Sequence, residues 1–328
     1  MNKNSMLALL FGGSCLAVAG AVLAQGSAAA FPAKPVTIVL PYPPGGSTDP
    51  ENRLYALKLT ENTGQQFLVD NKPGAGTTIG TAYVVKAAPD GYTLLAVNST
   101  ISVMPLTYRD LPFDTVKDLA AVTQISKRSS ILTVTASLPV KTMQEYIAYA
   151  KTNPGKINFG TSSLGGLTHL VAEWLKEATR TDVTLVPYKG TGPMTTDLVA
   201  GRLHAGMSSA LPAKPFLTSG KLKALGSTGA ERIKALPDLP TILEQGVTGF
   251  DYYQWSGFSV PGATPRAVIA RLNQEFAKVA RDPVVIQKME ADGYNMVGSS
   301  PEDMRKLIAT ETERWKQIVA RTGIKLEE

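Results

Sequence analysis

Short runs of apolar residues alternate with helix-like segments in the first part of the chain after residue 30. Residues 36–40, 67–69 and 92–97 are rich in β-branched and other apolar side chains, which is typical of strands. Turn residues follow the first two runs, and the helical segments after them end near Gly64 and Ala88. Strand, helix and strand in this order predict βαβ units with right-handed crossovers and parallel strands.

The alternation begins again near residue 131 and predicts a second sheet. Thr142, with Glu145 three residues later, has the pattern of a capping box and marks the start of a helix. The strand-like runs of this second series occupy residues 131–136, 157–159, 183–186, 203–207 and 222–227. The chain is therefore predicted to hold two separate α/β layers.

The pattern changes after Gly249. Residues 252–260 form a long extended stretch that is rich in aromatic side chains. Two amphipathic helices follow, and they begin at residues 264–265 and 300–301. Their apolar stripes are predicted to pack into the core.

Residues 1–30 form a segment of another kind. A short basic start at Lys3 precedes an apolar stretch at residues 6–23, and small residues end the segment. This order predicts a secretory signal peptide that is cleaved near Ala30 and directs the protein to the periplasm.

Two alternatives exist for this N-terminal segment. An uncleaved transmembrane anchor is disfavoured because the apolar run is short for a span and contains Gly12 and Gly13. A lipoprotein that carries its lipid on Cys15 is disfavoured because the apolar residues continue beyond that cysteine.

Composition excludes several functional classes. The 328 residues are 44% hydrophobic and 18% charged, which permits a packed core and excludes global disorder. One cysteine and two histidines are too few for a Cys/His zinc or iron–sulfur site. The net charge of +6 is spread thinly, in pairs such as Lys127-Arg128, without the basic stripe of a nucleic-acid-binding protein. We therefore expect no metal, no other cofactor and no nucleic acid partner.

Three loops rich in Gly, Ser and Thr each join a predicted strand to a helix, at residues 42–49, 98–100 and 160–166. Small residues let a ligand approach the backbone, and the N–H groups and dipole of a helix N-terminus favour an anion. In parallel sheets such loops lie at the carboxyl ends of strands, where α/β proteins bind ligands. Any single loop is more simply an ordinary capped turn, but three loops in two layers favour a binding site.

Familiar catalytic motifs are missing from the sequence: it has no G-x-S-x-G, Walker A or H-E-x-x-H pattern. Gly74-Ala75-Gly76 resembles the start of a dinucleotide fingerprint, but Ile79 stands at the third glycine position, so a tight βα turn is favoured. An exported hydrolase that uses Ser47 or Ser162 is an alternative function. It lacks a recognisable general base, because neither histidine has a triad arrangement.

Some candidate residues also have an ordinary structural interpretation. Asp49 fits a helix N-cap better than a ligand contact, because its charge would repel an anion. His169 lies just inside a predicted helix, where a histidine usually packs or caps. Lys189 is suited to neutralise a carboxylate, although loop lysines are mostly exposed.

Several short stretches match one family of binding proteins. They are PYPPGGSTD at residues 41–49, DNKPGAG at 70–76, NPGKINFG at 153–160 and LGGLTH at 164–169, with further matches at 31–39, 88–94 and 186–190. In combination they make the chain resemble the solute-binding proteins of tripartite tricarboxylate transporters, the Bug family. The resemblance covers essentially all of the chain after residue 30.

The resemblance implies an α/β, two-lobed type II periplasmic binding protein fold. Each lobe would be a mainly parallel sheet flanked by helices, with the ligand held between the lobes. Lobe 1 would comprise residues 31–132 and 255–328, and lobe 2 residues 136–252. Two crossover strands, at residues 131–137 and 252–260, would join the lobes as hinges.

The resemblance also implies a function without catalysis. The protein would capture a small mono- or dicarboxylate in the periplasm and deliver it to membrane transporter subunits, as a monomer and without a cofactor. A sensor that presents the carboxylate to a receptor domain is an alternative. Family members commonly carry acidic residues where this chain has His204 and Ser208-Ser209. The difference implies a ligand that is more acidic or that lacks an amino group.

The loops and the resemblance together predict a set of ligand-binding residues on both lobes. They are Tyr42, Pro44, Gly45, Gly46, Ser47, Thr48, Asp49, Asn98, Ser99, Thr161, Ser162, Ser163, Gly165, Gly166, His169, Tyr188, Lys189 and Ser208.

Overall fold

The computed structural model describes residues 31–45, 48–108, 110–162, 164 and 166–323. The predicted signal peptide at residues 1–30 lies outside the described residues. So do four predicted ligand-binding residues, which are Gly46, Ser47, Ser163 and Gly165. Within the described ranges, no helix has both the length and the apolar character needed to cross a membrane.

Strands and helices alternate along most of the described chain. The strands are β1 (Val36–Leu40), β2 (Phe67–Asn71), β3 (Thr93–Asn98), β4 (Leu119–Arg128), β5 (Ser130–Thr135), β6 (Asn158–Thr161), β7 (Thr184–Pro187), β8 (Ala205–Ser209), β9 (Leu222–Ser227), β10 (Gln254–Pro261) and β11 (Asn295–Met296). The helices are α1 (Asp49–Thr63), α2 (Thr78–Val85), α3 (Met104–Thr107), α4 (Met143–Thr152), α5 (Leu167–Thr179), α6 (Thr191–Val199), α7 (Ala210–Thr218), α8 (Arg266–Ala280), α9 (Pro283–Ala291) and α10 (Pro301–Thr322).

The first sheet has six strands in the order β11-β4-β10-β3-β1-β2. β1 pairs in parallel with β2 and β3, whereas β10 runs antiparallel to β3 and β4. β1 to β4 therefore run in one direction, and β10 and β11 oppose them. The carboxyl ends of β1, β3 and β4 consequently meet along one edge of the sheet, beside the start of β10.

Helices cover both faces of this sheet. On one face Tyr55 of α1, Phe258 of β10 and Phe276 of α8 are fully buried against one another. On the other face Val84 of α2 and Met304 of α10 belong to a second buried cluster. This double covering explains why the first-sheet strands read as nearly continuous apolar runs in the sequence.

The second sheet has five strands in the order β7-β6-β8-β5-β9. β6 is parallel to β7 and β8, while β5 is antiparallel to β8 and β9. Four of the five strands therefore run in one direction, and only β5 opposes them. Phe159 and Trp174 lie in the buried cluster of this sheet. Two sheets of mainly codirectional strands with flanking helices confirm the predicted fold class.

The chain passes from the first sheet to the second at Ser129, which alone separates β4 from β5. It returns through residues 228–253. The buried Thr228 links the two passages: its hydroxyl accepts a hydrogen bond from the Ser130 N–H (3.0 Å) and donates one to the Tyr252 carbonyl (2.7 Å). The predicted crossovers at 131–137 and 252–260 thus fall largely within β5 and β10, and their role as hinges stays a prediction.

Helix α10 contacts the cores of both sheets. Met304, near its start, is buried with residues of the first sheet. Trp315 and Ile318, three turns later, are buried in the cluster of the second sheet, and the Trp315 ring lies 5.9 Å from the ring of Trp174. The amphipathic stripe that the sequence shows is therefore shared between two cores.

Two helices begin with the N-cap residue that the sequence predicts, and a third begins with a different one. The Thr142 hydroxyl accepts from the Glu145 N–H, and the Ser300 hydroxyl accepts from the Asp303 N–H, as expected for the starts of α4 and α10. The prediction that Asp49 is the N-cap of α1 is wrong, because Thr48 holds that position and Asp49 is the first helical residue. Its carboxylate bonds to groups outside the helix start instead.

Candidate functional site

A cavity of about 1120 Å³ lies between the two sheets. The first sheet contributes residues from the edge where its carboxyl strand ends meet, among them Tyr42, Asn98 and Ser126. The second lobe contributes Ser162 from the loop before α5, Thr168 from the start of α5, and Ser208 near the end of β8. Predicted loops from both halves of the chain therefore border one space.

Tyr42 and Asn98 form a fixed polar pair on the first side of the cavity. The Tyr42 hydroxyl donates to the Asn98 Oδ1 atom (2.9 Å), which also accepts from the Thr100 N–H (2.9 Å). Burial raises the pKa of the Tyr42 phenol above its ordinary value, so the hydroxyl keeps its proton. The Asn98 amide oxygen therefore accepts hydrogen bonds within the protein, and its N–H₂ group is a donor for other partners.

Asp49 organises the loop before α1 rather than lining the cavity. Its carboxylate accepts from the Gly45 N–H (3.2 Å) and the Asn71 Nδ2 atom (3.2 Å) and pairs with Arg53 (2.8 Å). The hydrogen bond from Arg53, more than the other contacts, holds the pKa of Asp49 below its ordinary value. Thr48 borders the cavity, whereas Pro44, Gly45 and Asp49 are outside its lining.

On the second side, the loop that leads into α5 is held by a hydroxyl pair. The Ser162 and Thr168 hydroxyls lie 2.9 Å apart, and the Thr168 hydroxyl also accepts from the Ser162 N–H (3.0 Å). Gly166 is the N-cap of α5 and lines the cavity. The N-terminus of α5 therefore borders the site, as the sequence predicts.

Four other predicted residues of the second side lie outside the cavity lining. Thr161 is fully buried in β6. His169 is buried with its Nε2 atom 3.8 Å from Glu173, and burial lowers the pKa of its imidazole. The Tyr188 hydroxyl donates to Asp197 (2.7 Å), and Lys189 is exposed. Ligand contact by these residues stays a prediction, and the neighbouring residues 190–192 line the cavity in their place.

Sequence reasoning missed the lining residues at the junction of β4, β10 and β11, among them Arg128, Gln254 and Tyr294. Arg128 ends β4, its Nε atom donates to the Gln254 Oε1 atom (2.9 Å), and its Nη1 atom donates to the Tyr294 hydroxyl. The guanidinium carbon also lies 4.8 Å from the centre of the Tyr294 ring. The pair Lys127-Arg128 was visible in the sequence, but without a predicted strand there nothing indicated which side chain faces the cavity.

Two buried carboxyl groups stand behind the polar side of the cavity. Glu51 of α1 accepts a hydrogen bond from the Ser126 hydroxyl, and burial raises the pKa of Glu51. Glu311 of α10 accepts from the Trp255 Nε1 atom (2.7 Å), and burial raises the pKa of Glu311 to about 7. Neither glutamate lines the cavity itself.

The second sheet also supplies an apolar wall. It consists of Met194, Val199, Met207 and Phe216, which line the cavity together. Among the described residues, no group of three His, Cys, Asp or Glu side chains is arranged to hold a metal ion. The site thus combines neutral hydrogen-bonding groups, one arginine and an apolar surface, which suits an organic anion.

Sequence comparison places the chain among known receptor proteins. A family model described as "Tripartite tricarboxylate transporter family receptor" matches residues 52–324. Protein BugT of Bordetella pertussis is 33% identical over 333 residues and covers 100% of both chains. The UPF0065 protein in the tcbD-tcbE intergenic region of Pseudomonas sp. strain P51 is 35% identical over 291 residues, which cover 88% of this chain and 87% of the relative.

Solved structures share the fold. Rpa4515 of R. palustris with adipate has 35% identity and a TM-score of 0.80, over 90% of this chain and 99% of that chain. The periplasmic binding protein BugD has 29% identity and a TM-score of 0.77, over 90% and 99% of the two chains. MatC of Rhodopseudomonas palustris with bound malate has 28% identity and a TM-score of 0.74, over 88% and 100%.

These comparisons confirm the resemblance seen in the sequence, and with it the expectation that the protein is not an enzyme. The alternative of an exported hydrolase is therefore set aside. By its sequence and its two-lobed fold, the chain belongs to the receptor family of the tripartite tricarboxylate transporters, a family of solute-binding proteins.

Proposed function

We propose that the protein is an exported binding protein for a small mono- or dicarboxylate, which it captures between its two lobes. The observation that carries the proposal is the cavity itself: its described lining offers hydroxyl, amide and guanidinium donors and contains no carboxylate. Such a lining solvates an organic anion without charge repulsion. The similar proteins that were solved with adipate and with malate support the same ligand class.

Within this proposal the first lobe holds one carboxylate through Tyr42, Thr48, Asn98 and Ser99. Gly46 and Ser47 of the same loop lie outside the described residues and stay predicted ligand-binding residues. The second lobe contributes Ser162, Gly166 and Ser208. A micromolar dissociation constant requires about −8 kcal/mol, and a single helix N-terminus supplies only about 0.3–1 kcal/mol. Contacts from both lobes are therefore needed at once.

Export and delivery complete the proposed role. Residues 1–30 would direct the protein to the periplasm and be cleaved near Ala30, and the loaded monomer would pass its ligand to a tripartite membrane transporter. Co-purification with the membrane subunits, in the presence and absence of ligand, tests the delivery step. Association with a signalling receptor and not with transporter subunits would support the sensor alternative.

A thermal-shift panel tests ligand class. A carboxylate at a hundred times its dissociation constant should stabilise the folded protein by about 2.7 kcal/mol. At roughly 2–4 °C per kcal/mol the melting temperature should rise by several degrees. The panel contains dicarboxylates, hydroxy acids, aromatic acids and amino acids, with the neutral amides of the same acids, sugars and NAD as controls. Strong shifts with sugars or NAD, and none with any carboxylate, would contradict the proposal.

A further inference from the structure

The charge of the cavity lining is concentrated in one residue. Arg128 is the only charged residue among the described residues that line the cavity. It forms no ion pair with any described residue, because its contacts are the Gln254 amide and the Tyr294 hydroxyl and ring. Arg128 is half-buried and has no carboxylate of the described residues in contact with it, although the buried Glu51 acts on its charge at longer range. The guanidinium therefore presents positive charge to the ligand space.

Arg128 is also held in place before any ligand arrives. Its Nε and Nη1 atoms each donate one hydrogen bond within the protein, and its guanidinium carbon lies 4.8 Å from the centre of the Tyr294 ring. A guanidinium carries five N–H donors, so the Nη2 atom and one N–H of Nη1 remain without a partner among the described residues. Positioned in this way, the side chain loses little conformational freedom when it binds a carboxylate.

Strand order places Arg128 away from the Tyr42 loop. Tyr42 follows β1 and Arg128 ends β4, with β3 and β10 between them in the sheet. At about 4.8 Å for each neighbouring pair of strands, the two backbones are roughly 14 Å apart. One ligand between them would present two different ends, one to the Tyr42–Asn98 pair and the other to Arg128.

No carboxylate of the described lining stands at the Arg128 end, so no group there forms an ion pair with an ammonium group. Ser130, two residues after Arg128, pairs with Ser209, so the end of β8 lies beside this end of the cavity. Ser208 and Ser209 line the cavity there and are neutral. The acidic Glu51 lies in the helix layer beyond Ser126 and is outside the lining.

From these observations we infer that Arg128 is a specificity-determining residue, which binds an acidic group at the end of the ligand remote from Tyr42. The inference rests on the proposed function and refines it. The protein prefers diacids to the corresponding monoamides, and it rejects analogues that carry an ammonium group at that end.

Calorimetry on the wild-type protein tests the preference without any mutation. The probes are succinate, adipate and benzene-1,4-dicarboxylate, each with its monoamide and with the analogue in which an aminomethyl group replaces one carboxylate. The best diacid should bind roughly 10- to 100-fold more tightly than its monoamide, as expected for a hydrogen-bonded charge pair, and the amino analogue should bind most weakly. A monoamide or amino analogue that binds as tightly as its diacid, or that binds when no diacid does, would overturn the inference. If no acid in the panel binds at all, the proposed function fails together with it.

Variants then assign the preference to Arg128. Arg128→Gln should lose the diacid preference while keeping the affinity for the monoamide, and Arg128→Lys should retain part of the preference because the charge remains. Lys127→Gln is the matched control, since it removes the same charge from the adjacent residue, whose side chain packs on Tyr253 outside the lining. A folded Arg128→Gln protein with an unchanged preference would overturn the inference. If that variant does not fold, the wild-type comparison and Arg128→Lys decide.

Discussion

At the scale of single residues, this protein buries several ionisable side chains, among them Glu51 and Glu311. Glu311 lies on α10 with its carboxyl group against the Trp255 indole, and only 7% of the residue is exposed. Burial is the main cause that raises its pKa to about 7, and the hydrogen bond from Trp255 opposes the shift. The stability of the protein should therefore depend on the protonation of Glu311, which lies behind the cavity and contacts the lining residue Trp255.

The raised pKa of Glu311 predicts how stability changes with pH. The folded state binds the Glu311 proton more tightly than the unfolded state, so this stabilisation is complete below about pH 4.5 and is lost as the pH rises to about 7. In Glu311→Gln, which keeps an acceptor for the indole, this loss should be absent. Its free energy of unfolding, relative to wild type, should rise by at most about 1.4 kcal/mol per pH unit in that window.

Urea denaturation between pH 4.5 and 8 measures this difference. Glu313→Gln is the control, because Glu313 is exposed on the same helix. If wild type and Glu311→Gln show parallel profiles across the window, burial does not perturb Glu311 in the way described. Glu51, whose pKa burial also raises, contributes to both profiles equally and cancels in the comparison.

At the scale of elements, strong apolar or capped segments were predicted well and others were missed. The sequence shows β9 at its observed bounds and the start of α10 at its observed cap. It did not predict β4, because the mixed Ala, Thr and Lys composition of this segment does not indicate a strand. In the structure β4 is stabilised by its pairing with β10 and β11. It also did not predict α7, because Pro212 and Pro215 argue against a helix although the observed helix accommodates both.

The close packing of β10 predicts an effect of adding a single methyl group. A Cβ atom at Gly257 would lie 2.6 Å from the Thr123 carbonyl oxygen of β4 and 3.0 Å from the Met304 side chain of α10. Since backbone cannot yield as a flexible side chain does, Gly257→Ala should destabilise the protein by about 1–3 kcal/mol. Chemical denaturation measures the change.

Gly192→Ala is the matched control for this prediction. Gly192 lies in α6 with open space where the Cβ would be, and its φ is not in the left-handed region. The same methyl group should there be neutral or stabilise by roughly 0.5–1 kcal/mol, because alanine is the better helix former. Equal destabilisation by both substitutions would show that the β4–β10 contact is not the cause.

At the scale of the whole molecule, two sheets are connected by two passages that lie side by side and by one helix that contacts both cores. Thr228 bonds to both passages, and α10 buries Met304 on one side and Trp315 on the other. The cavity between the sheets, about 1120 Å³, is larger than a small carboxylate requires. This arrangement favours a movement in which the lobes approach each other about the passages.

We therefore predict that ligand binding makes the protein more compact. Small-angle scattering with a saturating carboxylate, chosen from the thermal-shift panel, should show a smaller radius of gyration than the unliganded protein. A neutral amide that does not bind serves as the control. An unchanged scattering profile, with binding confirmed by calorimetry on the same sample, would rule out hinge closure at residues 131–137 and 252–260.

The sequence by itself determined the number of layers, the family and the loops at the strand ends, because these depend on local apolar periodicity, turn residues and short motifs. Tyr42, Asn98, Ser162 and Gly166 belong to such loops, and they line the cavity. Only the tertiary structure decided that Arg128 faces the same space and that Asp49 does not. The side on which a strand residue points depends on register, and the partner of a carboxylate depends on distant neighbours such as Asn71. Those contacts join residues far apart in the chain, and local patterns do not encode them.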